Sequence, residues 1–288
     1  MLIFLADGQL GNQIFQYMFL KTIQKNNEAI IVSGFEELVK VFEIEDIVNL
    51  NKKNRWVRVF LFRIMKPLLT FLSDKSIVSS VLIKHERVLG DYRRESLMFD
   101  TKSGGVTKVT FVKLGFFQSE SFFKKEMARK LKIKKLYLSQ AVSFLSDIPK
   151  KNHKIFIHIR RGDYKSFTIY GESALLPLVY YKEQIEWFLE NRKDCFFIFL
   201  SDEPEFIEKE FKYIDDKLIS TENHFGTDLA IMTLCDSAIL SPSSFGWWGS
   251  YLMKDRDVVF APKYWLGFNR EVEYHLNGTP CYAKEIAI

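Results

Sequence analysis

Between residues 154 and 260 short apolar runs alternate with segments of helical spacing, and nothing else in the chain restricts its fold as much. The runs 154–159, 195–200, 218–220, 238–240 and 258–260 have the length and apolar content of buried strands. Between them, 176–191, 203–211, 228–235 and 247–253 carry apolar residues at helical intervals. A strand joined through a helix to the next strand builds a parallel sheet with helices on both faces. Such sheets bind ligands outside the carboxyl ends of their strands.

The first half shows the same grammar less clearly. Residues 2–5 read as a buried strand, Asp7-Gly8-Gln9-Leu10-Gly11-Asn12-Gln13 as a turn, and Ile14, Tyr17, Met18 and Thr22 as one helix face. Residues 29–32 predict the next strand, 36–42 and 56–72 predict helices, and 99–112 carries Ser103-Gly104-Gly105 before a β-branched run. Helical spacing returns over 118–132. The polar, proline-containing stretch 147–153 predicts a linker, giving an N-terminal domain 1–148 and a C-terminal domain 149–288. With 288 residues and 47% hydrophobic content, each unit has enough apolar surface for its own core.

Charge decides little: 41 Lys+Arg against 36 Asp+Glu give +5, compatible with anionic ligands or a membrane surface. No RNA- or DNA-binding motif interleaves these basic residues, so no nucleic-acid partner is expected. Cys195, Cys235 and Cys281 form neither a zinc signature nor an even disulfide set, which fits a reducing compartment. The apolar stretch 2–6 is too short for a signal peptide or a membrane span, and a cytoplasmic protein is expected. The stretch from Lys52 to Lys66 holds six basic residues, no acid and several large apolar ones. It reads as an amphipathic helix with its apolar side in the core, the commoner use of the pattern. A peripheral helix on the inner face of the cell membrane is the alternative.

Three motifs carry candidate chemistry. His158-Ile159-Arg160-Arg161-Gly162-Asp163-Tyr164 ends the strand 154–159, and paired arginines at such an edge suit a phosphate-bearing ligand. Alternation puts His158 and Arg160 on one face and Arg161 on the other, so the two arginines have different tasks, with Asp163 placed to hold one of them. A surface ion-pair cluster is the other reading. Ser241-Pro242-Ser243-Ser244-Phe245-Gly246-Trp247-Trp248-Gly249 lies between a strand and a helix, where Ser243 or Ser244 either caps the helix or also touches a phosphate. Gly8-x-x-Gly11-Asn12-Gln13 gives close backbone access, or is simply a helix-entry turn. No metal is expected. Asp255-Arg256-Asp257 reads as a solvated loop, the five histidines lack ligand spacing, and no Gly-x-Ser-x-Gly elbow is present.

In sequence order these motifs resemble glycosyltransferase family 11, the α-1,2-fucosyltransferases. The resemblance rests on residues 8–17, 158–164 and 243–252, with Pro262-Lys263-Tyr264-Trp265 as the family's ending, while 35–110 matches nothing identifiable. Gln9 stands where bacterial members usually have a second glycine. The resemblance implies two Rossmann-like domains of GT-B type with the donor site in the cleft between them, acceptor largely on the N-terminal half. It implies GDP-fucose as donor, no metal, and a β-galactoside acceptor that can be lipid-linked, as in a polysaccharide repeat. Arg160 would contact the diphosphate with Arg161 assisting, His158 would lie beside the nucleoside, and Ser243, Ser244 and Phe245 would line the phosphate side, with Gly8, Gly11, Asn12 and Gln13 nearby. The spacing from Asp228 to Ser244 is similar to that of related enzymes in which the acid reads guanine; a solvated acid near a helix start is the plain alternative. A β-linked donor and an α-linked product imply inversion. Asp163 and Glu172 are the candidate bases, beside a nearly base-free dissociative reaction.

Overall fold

The computed structural model describes residues 1–26, 28–50, 54–104, 107–221 and 224–288, apart from the side chains of Arg55 and Arg58. The chain forms two compact units, Met1–Lys132 and Ile133–Ile288.

In the first unit the strands are β1 (Leu2–Leu5), β2 (Ile30–Ser33), β3 (Ile47–Leu50), β4 (Ser79–Arg87), β5 (Arg93–Lys102) and β6 (Thr110–Val112). They lie in the order β3-β2-β1-β6-β4-β5, parallel except for the antiparallel β4–β5 pair. The helices are α1 (Leu10–Ile23), α2 (Glu36–Val41), α3 (Arg55–Val59), α4 (Lys66–Asp74) and α5 (Lys125–Ala128), with a wider π turn, Phe60–Met65, joining α3 to α4. Helix α1 is buried on nearly every side from Leu10 to Leu20, which is why its apolar periodicity is weak in the sequence. Phe19 stacks on Phe117 with ring centres 3.8 Å apart, and Phe122 meets both edge-on. Where helical spacing predicted one helix over 118–132, only a short 3₁₀ turn, Glu120–Phe122, and the four-residue α5 form. Phe117, Phe122 and Phe123 fill the core from this largely irregular backbone.

The second unit carries the alternation expected from residue 154 onward. Strands β7 (His153–Ile159), β10 (Cys195–Ser201), β11 (Lys217–Ser220), β12 (Ser237–Leu240), β13 (Val259–Pro262) and β14 (Lys284–Ile286) form one parallel sheet in the order β11-β10-β7-β12-β13-β14. A separate hairpin pairs β8 (Thr168–Ile169) with β9 (Glu172–Ser173). The helices are α6 (Lys135–Phe144), α7 (Leu178–Asn191), α8 (Pro204–Glu210), α9 (Phe225–Thr233) and α10 (Ser244–Tyr251). Ile155, Ile157 and Ile159 of β7 enter a core with Phe188 of α7, Phe197 and Phe199 of β10 and Ile207 of α8. Packing divides the chain ahead of the stretch 147–153, because α6 lies on α9 and so joins the second unit. No helix among the described residues is long and apolar enough to cross a membrane.

Candidate active site

The polar residues of the second unit collect at the carboxyl edge of its sheet. The β7–β10 register sets Ile159 opposite Ser201. The chain leaving each strand therefore brings Arg160–Asp163 beside Asp202-Glu203, one step beyond the sheet. The alternation that buries Ile159 under α7 and α8 turns His158 to the other face, against α10.

The two arginines separate in the same way. Arg161 turns toward α8, where its Nε donates to Glu203 at 3.0 Å and its guanidinium lies 3.6 Å from the ring centre of Phe206. Glu203 is also paired with Lys165, and these two cations hold its carboxyl below the usual range. Stacked and paired, Arg161 acts as a strut. Arg160 donates from Nε to Asp163 Oδ1 at 2.8 Å, and its Nη1 lies 3.2 Å from Asp202 Oδ2. Burial opposes its charge, but the Asp163 hydrogen bond and the two carboxylates outweigh burial and raise its pKa. Two acids fix the guanidinium while its remaining N–H directions stay available for bidentate contact with a phosphate.

Asp202 is the organising residue that sequence reasoning missed. Its Oδ1 accepts from the Arg161 backbone N–H at 2.9 Å and its Oδ2 from the Gly162 N–H at 3.1 Å, besides the Arg160 contact. A Cβ on residue 162 would come 2.8 Å from Asp202 Oδ2 and would push the carboxylate off this position. The only sequence signal is an acid directly after a strand, which gains meaning once β10 is known to neighbour β7. Asp202→Ala is expected to lower turnover at this site by about 10²-fold, since a misplacement near 1 Å costs that much. Binding of a phosphate-bearing ligand, measured by calorimetry, should weaken in parallel, and an unchanged affinity would remove Asp202 from this role.

The serine loop closes the other side. Ser243 caps α10 by accepting from the Phe245 N–H at 3.4 Å, and Tyr164 donates to the Pro242 carbonyl at 2.9 Å, tying this loop to the arginine loop. Ser244 occupies the first position of α10, half-buried. His158 is buried and shares a 2.7 Å hydrogen bond with the Ser241 hydroxyl. Burial first, and the Arg160 charge second, push its pKa down to about 3, so the imidazole is neutral and adds no charge for a phosphate. Its task in the structure is support: the ring lies so close to α10 that a Cβ on Gly246 would meet its Nδ1 at 2.9 Å.

Asp228 sits in the first turn of α9, at the same edge of the sheet, and accepts from the Ser220 hydroxyl at 2.6 Å. Burial pushes its carboxyl up to about 6, against the smaller opposing effect of the Ser220 bond. Among the described residues no cation contributes to this shift, and a carboxylate desolvated in this way is poised for a ligand that brings its own donors. His224 caps α9 by accepting from the Gly226 N–H at 3.0 Å and stacks on Tyr137 of α6.

In the first unit, the 8–13 loop is held by its own polar residues. Gly8 has φ +95°, the left-handed region that favours glycine. Gln13 donates to the Gly8 carbonyl at 3.0 Å and accepts from the Leu38 N–H at 2.9 Å, while Asn12 accepts from Gln118 at 2.7 Å. The Leu10 N–H donates to Glu37 at 2.5 Å, so a carboxylate already occupies the start of α1; Gly11 is buried in that helix's first turn.

Glu172 lies in the β8–β9 hairpin, whose turn residues Tyr170 and Gly171 both have positive φ. It forms a 2.7 Å pair with Arg270, and Asn269 donates to the Ser173 carbonyl at 2.7 Å. The structure thus brings together Arg160, Asp163, Asp202 and the serine loop, and ties Glu172 to the 265–270 segment instead. Asp257 receives two hydrogen bonds from Arg192, at 2.6 and 3.1 Å, and Arg256 donates to the Tyr251 carbonyl at 2.8 Å, so two of the three residues of Asp255-Arg256-Asp257 serve the packing of α7 and α10. Among the described residues no group of three His, Cys, Asp or Glu side chains could hold a metal ion.

Two α/β units built largely on parallel strands, one carrying an anchored arginine at its carboxyl edge, have the GT-B fold. The fold matches POFUT1 in complex with GDP-fucose (TM-score 0.53, 13% identity, 90% of this chain and 97% of that one). It also matches the fucosyltransferase NodZ from Bradyrhizobium (TM-score 0.50, 10% identity, 86% and 91%). The chain belongs to glycosyl transferase family 11, whose family model spans residues 1–277. It is 28% identical over 300 residues to an alpha-1,2-colitosyltransferase of Escherichia coli, covering 98% of this chain and 96% of that protein. Galactoside alpha-(1,2)-fucosyltransferase 1 of Mus musculus is 26% identical over 115 residues, covering 36% of this chain and 29% of that protein.

Proposed function

We propose that this glycosyltransferase moves L-fucose from GDP-β-L-fucose to the 2-hydroxyl of a β-galactoside in a glycan or polysaccharide repeat, with inversion and without a metal. The observation that carries this reading is Arg160, held by Asp163 and Asp202 at the carboxyl edge of β7 beside the start of α10. The acceptor oxygen attacks the anomeric carbon as the bond from that carbon to the β-phosphate oxygen breaks, and GDP leaves with the electron pair. Arg160 and the first N–H groups of α10 stabilise the charge developing on the leaving phosphate, a task that a metal performs in other transferases. Asp228 accepts from the ring N–H and amino group of guanine. The acceptor proton goes to a carboxylate, with Asp163 and Glu172 the candidates in the second unit. The base is whichever of Asp163→Asn and Glu172→Gln loses kcat at unchanged donor KM.

A second reading is favoured by the relative that spans nearly the whole chain: the donor sugar is colitose, the 3-deoxy form of L-fucose. Guanine recognition is common to both and to GDP-mannose, so a donor screen separates them. GDP-fucose, GDP-colitose, GDP-mannose and UDP-sugars are offered with lactose and related β-galactosides in excess EDTA and read by mass spectrometry. A fucosylated galactoside at undiminished rate in EDTA is expected. Product from GDP-colitose alone moves the assignment to the second reading. A strict manganese requirement overturns the metal-free mechanism, and tight GDP binding with every donor left intact makes the chain a binding module.

A further inference from the structure

The helical run 55–74 carries apolar residues on both sides, and one of these sides faces outward. Leu61, Leu69 and Ser73 are buried, whereas Trp56 is 80% exposed, Phe60 49%, Ile64 54%, Leu68 46% and Phe71 56%. The expected inward apolar side is present through Leu61 and Leu69, but a second apolar face, which that expectation did not include, points outward. Steps of four residues in an α-helix drift around the axis by about 40° each, because a turn takes 3.6 residues. The π turn Phe60–Met65 takes more residues per turn and offsets that drift, so the exposed residues keep to one stripe along the run. A continuous apolar stripe on a surface helix marks a binding face.

Charge identifies its occupant. From residue 51 to residue 73 the sequence has six basic residues, Lys52, Lys53, Arg55, Arg58, Arg63 and Lys66, and no acid. Lys52, Lys53 and the side chains of Arg55 and Arg58 lie outside the described residues; Arg63 is exposed, and Lys66 lies 5.9 Å from the Phe62 ring centre. Asp74, which ends the run, is engaged by Lys113 at 3.0 Å. A second copy packed symmetrically on this face would set these cations against their equivalents, whereas an anionic lipid surface neutralises them. We propose that the 55–74 helix docks flat on an anionic bilayer, with Trp56, Phe60, Ile64, Leu68 and Phe71 in the headgroup–acyl boundary and Arg63 and Lys66 reaching the lipid phosphates. The docking is independent of the transfer reaction proposed above.

Vesicle flotation of the full chain tests it, with phosphatidylcholine vesicles containing phosphatidylglycerol against phosphatidylcholine alone. Co-flotation with the anionic vesicles is expected, weakening as salt is raised. The Phe60→Ser/Phe71→Ser double variant should lower the partition coefficient about tenfold or more, with unchanged circular dichroism and unchanged transfer to a soluble acceptor. Brominated acyl chains should quench part of the tryptophan emission in the wild type and not in Trp56→Phe. Absence of flotation, equal flotation of the double variant, or dimerisation in lipid-free sedimentation that this variant abolishes would each overturn the proposal.

Discussion

Replacing Arg160 by alanine is expected to lower kcat/KM by about 10³-fold or more, the scale of losing a principal stabiliser of transition-state charge. The fold should survive, because Asp202 still receives the Arg161 and Gly162 backbone N–H groups and Asp163 faces solvent. Thermal unfolding near that of the parent would separate a chemical loss from a structural one. Arg160→Lys keeps the charge but not the fork, and should recover only part of the rate. Arg161→Ala is the contrasting variant: it removes a strut stacked on Phe206 and paired with Glu203, and should reduce stability more than it reduces turnover. Parental turnover by Arg160→Ala would remove this residue from the site.

The second large effect is expected at Asp228. Asparagine keeps an oxygen to accept from Ser220 but presents an N–H₂ where guanine also presents donors. Donor kcat/KM should fall about 10²-fold, and the preference for guanine over other bases should fade. Stability should move the other way. The folded-state pKa of about 6 lies above the ordinary 3.8, so the contribution of this carboxyl is fully present below about 3.8 and lost as pH rises through about 6. At neutral pH the ionised group therefore penalises the empty protein, and Asp228→Asn should unfold at a higher temperature than the parent. Donor affinity in the parent should fall as pH drops below about 6, where protonation removes one acceptor. A pH-independent affinity, or an asparagine variant that still selects guanine, would refute guanine recognition by Asp228.

Much of the second unit was legible because its strands are fully buried and its helices follow each of them with a clear change of period, as at 195–200 and 203–211. The first unit was harder. The long β4–β5 pair went unread because β5 is a polar strand with mostly exposed positions from Arg93 to Lys102 and lacks the alternation that marks a half-buried strand. Helix α6 was missed as well; Tyr137 and Ala141 are its buried residues, too few to mark a periodic face. The segment 56–72 is helical as its spacing predicts, and besides the inward side it has an outward apolar face that spacing does not assign. Periodicity states that a helix has an apolar face but is silent about what covers it.

The sequence by itself determined the parallel architecture of the second unit and the opposite facing of Arg160 and Arg161, since strand alternation is a local property of the backbone. Its family membership was legible for the same reason, through short motifs of adjacent residues. Tertiary structure alone decided what those motifs lean on. Asp202 clamps the arginine loop because β10 lies beside β7, Glu37 occupies the start of α1, His158 is neutral because α10 covers it, and Asp228 is held near its protonation point by burial. Each depends on residues far apart in the chain becoming neighbours and losing water, and neither condition is written in local spacing.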